Sequence, residues 1–382
     1  MVTATTPSCV VIVAGEASGD LHGSHLVRAI RQREENVFFC GIGGKALRDA
    51  GARILVDSAT LSVMGITEVF SKLSHVLRSL SAIKQLLRSI RPELLILVDF
   101  PDFNLIVAKA AKKWGIPVLY YISPQVWAWR SGRVRKIRKY VDHIAVIFPF
   151  ERDFYEQHGV PVTFVGHPLM DNDLPPENRL PGQMPLTTPV IGLLPGSRES
   201  EVRKHLPVML DAVQQLKEKM PGLEFLVSHA SSTDRRIAEE IIRARLKDVP
   251  VEILTGNAGE VLRHSHLVIT ASGTATLEAA LYGVPSIIIY KVSPLSYWLA
   301  RALVRVEHIG LVNLVAGEKL APELIQKDAT PHRIAGTAAR MLQNPQEMQA
   351  IRRKLADVRR KLGDPGASDR TAAIALDMMR RP

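Results

Sequence analysis

The chain contains little cysteine, few aromatic residues and no long apolar run. Only 2 of its 382 residues are cysteines, and 5% are Phe, Trp or Tyr. Cys9 and Cys40 have no CxxC partner, which excludes a disulfide framework and predicts two small core residues. No apolar run approaches the ~20 residues that a membrane-spanning helix needs. Residues 1–9 lack the basic start and the apolar core of a signal peptide, so we expect a cytosolic protein.

Metal-binding clusters of Cys and His are also missing from the sequence, so neither a metal nor another cofactor is expected. What is present is the composition of a globular enzyme, with 46% hydrophobic and 23% charged residues, which excludes a disordered protein. A chain of 382 residues is too long for one ordinary core. Two domains are therefore expected.

A strong basic excess calls for an acidic partner or an anionic surface, because the formal net charge is +11. Solvated faces, nucleic acid and anionic lipid head groups are all explanations of this excess, although no aromatic stacking platform accompanies it. The charge is concentrated in two clusters: Arg130, Arg133, Arg135, Lys136, Arg138 and Lys139, and then Arg352, Arg353, Lys354, Arg359, Arg360 and Lys361.

Short apolar strands alternate with helical segments along nearly the whole chain. The strands of the first half are predicted at 10–14, 37–41, 94–99, 118–122 and 143–148. Those of the second half are predicted at 190–194, 224–228, 251–254, 266–270 and 286–290. This alternation is typical of parallel sheets, so we predict an α/β fold of two facing, Rossmann-like, doubly wound domains with an interdomain cleft.

The domain boundaries follow from a proline-rich stretch at 168–189, which we interpret as the linker. The first domain is predicted at 1–170 and the second at 171–350. Basic helices at 351–382 are expected to pack back on the first domain or on a partner subunit of a homodimer.

One loop of the second half has the composition of an anion site. Ser272, Gly273 and Thr274 form a small-residue turn between a buried strand and a helix, where free amides and the helix dipole favour negative charge. Glu278 lies one helical turn later and could accept hydrogen bonds from a ribose. The alternative is an ordinary strand–helix crossover in which Ser and Thr only cap the helix.

A carboxylate emerging from a buried strand suits general-base catalysis, because burial raises its pKa. Asp99 occupies this position after the strand at 94–98, and we predict that it is catalytic. Asp102 is expected to cap the helix that follows. The loop at 15–20 carries glycines but is not GxGxxG, so it is weak evidence for a dinucleotide.

Three further loops follow predicted strands. Ser197 is expected to cap a helix while Arg198 offers its fork to a diphosphate; the alternative is a capped loop with a surface salt bridge. Trp127 and Trp129 suit a sugar or lipid wall, or the core. Asn313, in an apolar stretch, could read a base edge or cap a turn.

The motifs in these loops resemble those of the lipid-A-disaccharide synthases, a family of two-domain glycosyltransferases of the GT-B type. The resemblance runs from about residue 10 to about 329, with its motifs in the family's order. DFPDFN and SPQVWAWR together are highly specific, whereas SGTATLE alone fits many nucleotide-sugar enzymes. The matching segments are AGEASGD, SVMGITEV, DFPDFN, SPQVWAWR, LPGSRESEV, SGTATLEAAL and NLVAGE.

The resemblance implies a specific reaction in lipid A and lipopolysaccharide biosynthesis. A 2,3-diacylated glucosamine passes from UDP to the 6-hydroxyl of 2,3-diacylglucosamine 1-phosphate, giving a β-1,6-linked disaccharide 1-phosphate and UDP. The α-linked donor and the β product imply inversion by one in-line displacement without a metal. The family motifs put Asp99 and Arg198 among the catalytic residues. Substrate contacts are implied for Glu16, Ser18, Asp102, Ser197, Ser272, Gly273, Thr274, Glu278 and Asn313.

Acylated substrates imply contact with a membrane, and an apolar stripe is the candidate device. Residues Val69, Phe70, Leu73, Val76 and Leu77 recur on one face of a predicted helix. Most such stripes are core, but the resemblance favours an acyl-binding or membrane-docking patch. We therefore expect a peripheral enzyme on the anionic inner face of the inner membrane.

Three alternatives stay open at this point. A UDP-N-acetylglucosamine epimerase of the same fold would share SGTATLE but not the apolar helix. The undecaprenyl-linked N-acetylglucosaminyltransferases have a glycine-rich first loop with a histidine, unlike residues 15–20. A nucleic-acid-binding protein would explain the charge but leave Asp99, Arg198 and Glu278 without a role.

Overall fold

The computed structural model describes residues 8–61, 69–124, 126–127, 131–176, 188–231, 233–246, 249–256, 258–292 and 307–380. The chain folds into two compact units. Unit 1 comprises Met1–Asp171 and Gly363–Pro382, and unit 2 comprises Asn172–Leu362. The C-terminal segment is thus split, because the chain returns to unit 1 at residue 363 and not at the predicted boundary of 350.

Unit 1 is built on a parallel sheet of seven strands within the described residues, in the order β3-β2-β1-β4-β5-β6-β7. The central strands are continuous apolar runs with both faces covered, as parallel sheets require. The strands are β1 Ser8–Ala14, β2 Val37–Gly43, β3 Arg53–Asp57, β4 Leu94–Val98, β5 Val118–Tyr121, β6 His143–Val146 and β7 Val162–Phe164.

The helices of unit 1 connect these strands and contribute apolar side chains to a common core. Leu80, Ile83 and Leu87 of α3 pack in that core with Val107 of α4 and Ile137 of α5. The C-terminal α14 packs against α1. The helices are α1 Ala17–Arg33, α2 Lys45–Asp49, α3 Val69–Ile90, α4 Pro101–Lys113, α5 Val134–Tyr140, α6 Pro149–Gln157 and α14 Ala367–Arg380.

Unit 2 contains a second parallel sheet, with six strands among the described residues in the order β10-β9-β8-β11-β12-β13. Its strands are β8 Val190–Leu194, β9 Glu224–Ala230, β10 Glu252–Gly256, β11 Leu267–Ala271, β12 Ser286–Tyr290 and β13 Glu323–Ile325. Its helices are α7 Glu199–Lys219, α8 Arg235–Arg245, α9 Ala258–His264, α10 Ala275–Leu281, α11 Leu311–Ala316, α12 Pro331–Leu342 and α13 Pro345–Lys361. The prediction of two parallel-sheet α/β domains is confirmed.

The strand order reverses once in each sheet, and ligands of doubly wound folds bind where this happens. In unit 1 the reversal lies between β1 and β4, whose carboxyl ends lead into residues 15–20 and 99–104. In unit 2 it lies between β8 and β11, which lead into residues 195–198 and 272–274. Four of the loops singled out in the sequence therefore lie at the switch points.

Several element boundaries differ from the prediction. The sequence analysis missed the edge strands β3, β7 and β13, which are short and only partly buried. Helix α4 begins at Pro101, before the predicted cap at Asp102, and proline is suited to the first helical position. None of the described helices is both long enough and apolar enough to cross a bilayer.

Candidate active site

Asp99 lies at the end of β4 in a sharply turned backbone. Its φ is 46° and that of Phe100 is 50°, so two successive residues with side chains adopt the left-handed conformation. Such a conformation costs about 1–3 kcal/mol per residue and persists only where the surroundings enforce it. Here the Asp99 carbonyl accepts hydrogen bonds from Asn104 Nδ2 and from the Tyr120 hydroxyl, both at 2.6 Å. The turn ends β4 and directs the chain into α4.

The same turn is packed against the loop after β1. A Cβ added to Gly15 would lie 2.3 Å from Cδ1 of Phe100, so only glycine fits beneath this ring. Burial raises the pKa of Asp99 to about 6, and the nearby Glu16 carboxylate also raises it, while the Phe100 amide partly offsets both. Glu16 is half-buried and Ser18 is exposed, at the start of α1. The structure thus brings Asp99 and Glu16 together.

The other acids of these loops have structural partners. Asp20 is buried and accepts hydrogen bonds from the amides of Gly44, Ala46 and Leu47, which caps α2. The prediction that Asp102 caps α4 is wrong, because the N-cap position is Phe100 and Asp102 lies in the first turn. Its exposed carboxylate forms an ion pair with Arg133. Substrate binding by Asp102 stays a prediction.

Sequence reasoning missed a buried carboxylate behind the tryptophan loop. Glu151 is 1% exposed and accepts hydrogen bonds from Ser123 Oγ at 2.9 Å and Trp127 Nε1 at 3.1 Å. Its second oxygen accepts from the amides of Ile147 and Phe148, and burial raises its pKa to about 7. The sequence did carry a signal for this contact: Glu151 is the third residue of a helix that starts with proline, a position whose side chain caps the helix start. Trp129 lies outside the described residues.

In unit 2, the loop after β8 is a capped turn. Glu201 Oε2 accepts hydrogen bonds from the amides of Ser197 at 3.1 Å and Arg198 at 3.3 Å. Arg198 occupies the N-cap position of α7, so the prediction of a Ser197 cap is wrong. The Arg198 guanidinium is half-exposed and bonds Glu201 Oε1 at 3.0 Å. This geometry corresponds to the alternative of a capped loop with a surface salt bridge. If Arg198 binds a diphosphate, its guanidinium has to leave Glu201 for the diphosphate.

His205 is a second residue that sequence reasoning missed. Its Nδ1 lies 3.0 Å from the carbonyl oxygen of Pro195, and its Nε2 lies 3.1 Å from the amide of Lys291. A carbonyl only accepts and an amide only donates, so the proton is on Nδ1 and the ring is neutral. Burial lowers its pKa, in agreement with this state. His205 thereby ties the loop after β8 to the end of β12.

The small-residue loop after β11 leaves its backbone open. Gly273 has φ 157° with nothing within 4 Å of an added Cβ, and Ser272 Oγ donates to the Ile309 carbonyl at 3.3 Å. Among the described residues, the amides of Gly273 and Thr274 donate to no protein acceptor. The side chain of Glu278 is half-buried, has no hydrogen-bond partner in the described ranges, and has its pKa raised by burial. Both features suit a polar ligand.

Asn313 is wholly buried and its amide is saturated. The side-chain oxygen accepts from the amides of Leu320 and Ala321, and the nitrogen donates to the Ala321 carbonyl and to Glu323, at 2.7–2.9 Å. Glu323 also accepts from the amides of Ile309 and Gly310. Of the two predicted roles, this geometry favours the support of a turn, and base recognition by Asn313 stays a prediction.

The predicted apolar stripe lies on α3. The side chains of Val69, Phe70 and Leu73 are outside the described residues. Val76 is partly buried against the core of unit 1, whereas Leu77 is 57% exposed. Neighbouring residues of a helix point about 100° apart, which separates these two. An exposed patch that includes Val76 is therefore not supported.

Within the described ranges, no group of three His, Cys, Asp or Glu side chains is placed to hold a metal ion.

Comparison with known proteins adds the family. The sequence model of the lipid-A-disaccharide synthetases matches residues 10–378. Lipid-A-disaccharide synthase of Geobacter sulfurreducens is 47% identical over 387 residues, which cover 99% of each chain. That of a Coxiella burnetii strain is 40% identical over 374 residues, covering 97% of this chain and 98% of the relative.

Solved structures support the same fold at low sequence identity. A glycosyltransferase of kitacinnamycin superimposes with a TM-score of 0.64 at 16% identity, covering 97% of this chain and 99% of that one. The UDP-N-acetylglucosamine 2-epimerase of Neisseria meningitidis, solved with UDP-N-acetylglucosamine, gives 0.61 at 13%, again covering 97% and 99%. These two define only the architecture. The sequence matches establish that the chain, with this architecture, belongs to the lipid-A-disaccharide synthase family of GT-B glycosyltransferases in lipid A biosynthesis.

Proposed function

We propose that the protein transfers 2,3-diacylglucosamine from UDP to the 6-hydroxyl of 2,3-diacylglucosamine 1-phosphate, with inversion at the anomeric carbon. The acceptor oxygen attacks C1 on the face opposite the diphosphate, the bond from C1 to the diphosphate oxygen breaks, and UDP leaves. The hydroxyl proton passes to one general base. The products are the β-1,6-linked disaccharide 1-phosphate and UDP.

The observation that carries this proposal is the position of Asp99. It is a carboxylate with a pKa of about 6 at the switch point of unit 1, held by an enforced left-handed turn. A base works best when its pKa is close to the working pH, because it is then mostly ionised yet still basic. Glu16 supports this role, since its negative charge raises the proton affinity of Asp99.

The donor is assigned to the switch point of unit 2. The amides of Gly273 and Thr274, open among the described residues, suit a diphosphate oxygen. Glu278, which has no hydrogen-bond partner in the same ranges, suits the ribose hydroxyls. Arg198 is proposed to exchange Glu201 for the diphosphate and to stabilise the charge that develops on the departing UDP. With these donors the leaving group needs no metal ion in the proposed mechanism.

The acyl chains of both substrates support a peripheral location on the inner face of the inner membrane. The exposed Leu77 on α3 is the described part of the proposed apolar contact. The basic excess suits the anionic lipids of that surface.

Product analysis tests the proposal. Purified protein with UDP-2,3-diacylglucosamine and 2,3-diacylglucosamine 1-phosphate should give the disaccharide 1-phosphate by mass spectrometry, with a β anomeric coupling by NMR. EDTA should leave the rate unchanged. An α-linked product or loss of activity in EDTA would reject the inverting, metal-independent mechanism. Conversion of UDP-N-acetylglucosamine to its C2 epimer, without transfer, would favour the epimerase alternative.

A further inference from the structure

The exposed side of α5 is uniformly basic. Val134 and Ile137 are buried in the core of unit 1, and the four cations between and after them point to solvent. Lys139 Nζ lies 5.7 Å from the Tyr140 ring centre, and in the part of the chain that the structure describes none of the four forms an ion pair. The four are Arg135, Lys136, Arg138 and Lys139.

The acids at the two ends of this helix in sequence and in packing, Asp142 and Asp102, have other partners. Asp102 pairs with Arg133, and Asp142 pairs with Lys112. Beside α5 is an open groove of about 720 Å³, lined by Arg135, Arg138, His158 and Glu156 among others. The Glu156 carboxylate lies 3.9 Å from Arg152. The positive charge of α5 is therefore not neutralised within the described residues.

The other basic cluster, on α13, is engaged with the protein itself. Arg359 donates to the carbonyls of Pro175 and Leu281, and Lys361 donates to those of Val315 and Ala316. Lys354 pairs with Glu318, and Arg360 pairs with Asp357. Two cations of the α13 cluster are thus ion-paired and two are bonded to carbonyl oxygens, whereas none of the four on α5 has an ion-pair partner in the described part of the chain.

Exposed apolar side chains lie on α4, which packs against α5, and on α3, which packs against α4. Helix α4 packs against both α5 and α3, and all three contribute to one core. Ile106 of α4 is 44% exposed and Leu77 of α3 is 57% exposed. Exposed cations and exposed aliphatic groups on this set of packed helices match a phospholipid surface, which offers phosphate and hydrocarbon together. An RNA surface is instead matched by exposed aromatics, and the only aromatic residue of α5 is the partly buried Tyr140.

We propose that α5 is the electrostatic contact of the protein with an anionic phospholipid bilayer. This inference rests on the proposed function, because acylated substrates require such a contact. It assigns the contact to Arg135, Lys136, Arg138 and Lys139, and assigns the basic residues of α13 to the stability of unit 2.

The test is flotation of full-length protein with vesicles of phosphatidylcholine alone, or mixed equally with phosphatidylglycerol. Each cation near an anionic bilayer strengthens binding about fivefold. A variant with all four α5 cations changed to Gln should therefore bind the anionic vesicles about 600-fold more weakly. The matched control removes four charges from α13: Arg353→Gln, Lys354→Gln, Arg360→Gln and Lys361→Gln. It should bind like wild type.

Equal losses in the two variants would overturn the proposal, since net charge alone would then explain binding. So would equal binding of the wild type to both vesicle types, or binding to RNA in preference to vesicles. If the fourfold α5 variant does not fold, Lys136→Gln with Lys139→Gln should still weaken binding about 25-fold. Synthase activity of the wild type in detergent is measured separately, because its absence defeats the proposed function whatever the vesicles show.

Discussion

Asp99 must be ionised to act as a base, and ionisation of this buried carboxyl lowers the stability of the fold. The pKa of this carboxyl is raised from 3.8 to about 6, mainly by burial. A raised pKa means that the folded protein binds the proton more tightly than the unfolded chain does. The contribution of Asp99 to the free energy of unfolding is therefore fully present below about pH 4 and is lost as the pH rises through about 6. At neutral pH the ionised Asp99 therefore destabilises the fold.

The first prediction follows from the upward direction of this pKa shift. Asp99→Asn should be more stable than wild type at pH 7–8, by up to about 2 kcal/mol, because the amide is never ionised. The difference should vanish below about pH 4, where the wild-type side chain is also neutral. Thermal unfolding of both proteins across this range checks the prediction. A variant of lower Tm at neutral pH, or a difference independent of pH, would contradict it.

Arg198 provides a second test at this scale. Arg198→Lys keeps the charge but loses the planar fork, so UDP affinity and turnover should both fall, each roughly tenfold. Arg203→Lys is the matched control, because Arg203 also lies on α7 in an exposed ion pair, with Glu199 at 2.8 Å. Titration with UDP and steady-state rates give the two quantities. Equal effects of the two substitutions would exclude a specific role for Arg198.

At the scale of elements, the sequence predicted the central strands and missed three of the four edge strands, β3, β7 and β13. β4 and β11 are continuous apolar runs because neighbours cover them on both sides. β7 and β13 have three residues each and depend on an adjacent strand to form. No local sequence pattern predicts such a strand.

In the candidate site, too, local sequence signals were predictive, whereas contacts that form only in the folded protein were not. The burial and the raised pKa of Asp99 were predictable because its position after a buried strand is a local signal. For Arg198 and Asn313 the sequence left two alternatives open, because their partners lie outside the strand pattern: Glu201 within the next helix, and Glu323 ten residues further on. His205 bridges to a residue 86 positions away, which periodicity cannot reveal.

Helix α3 allows a paired test of the apolar stripe. Leu77→Ser should leave stability nearly unchanged, since the side chain is already exposed, and should lower the membrane-bound fraction. Val76→Ser should instead lower stability by about 1 kcal/mol, because Val76 packs against the core. Thermal unfolding and membrane fractionation of both variants distinguish the two faces. Unchanged partitioning of Leu77→Ser would remove Leu77 from the proposed docking patch.

At the scale of the whole molecule, the proposed reaction is divided between the two units. Unit 1 carries the proposed base at its switch point, and unit 2 carries the proposed nucleotide loops at its own. The two sheets have separate cores, so a change at Asp99 should not alter the loops that hold UDP. Chemistry and nucleotide binding should therefore be separable by substitution.

The most direct measurement compares kcat and the UDP dissociation constant of Asp99→Asn with those of wild type. A positioned base is worth about 10²–10⁴-fold in rate, so kcat should fall by that factor. The UDP dissociation constant should stay within about twofold of wild type, and Asp153→Asn should retain activity as the control, because Asp153 lies in an exposed ion pair with Arg152. Near-normal turnover of folded Asp99→Asn would contradict the assignment of Asp99 as the base.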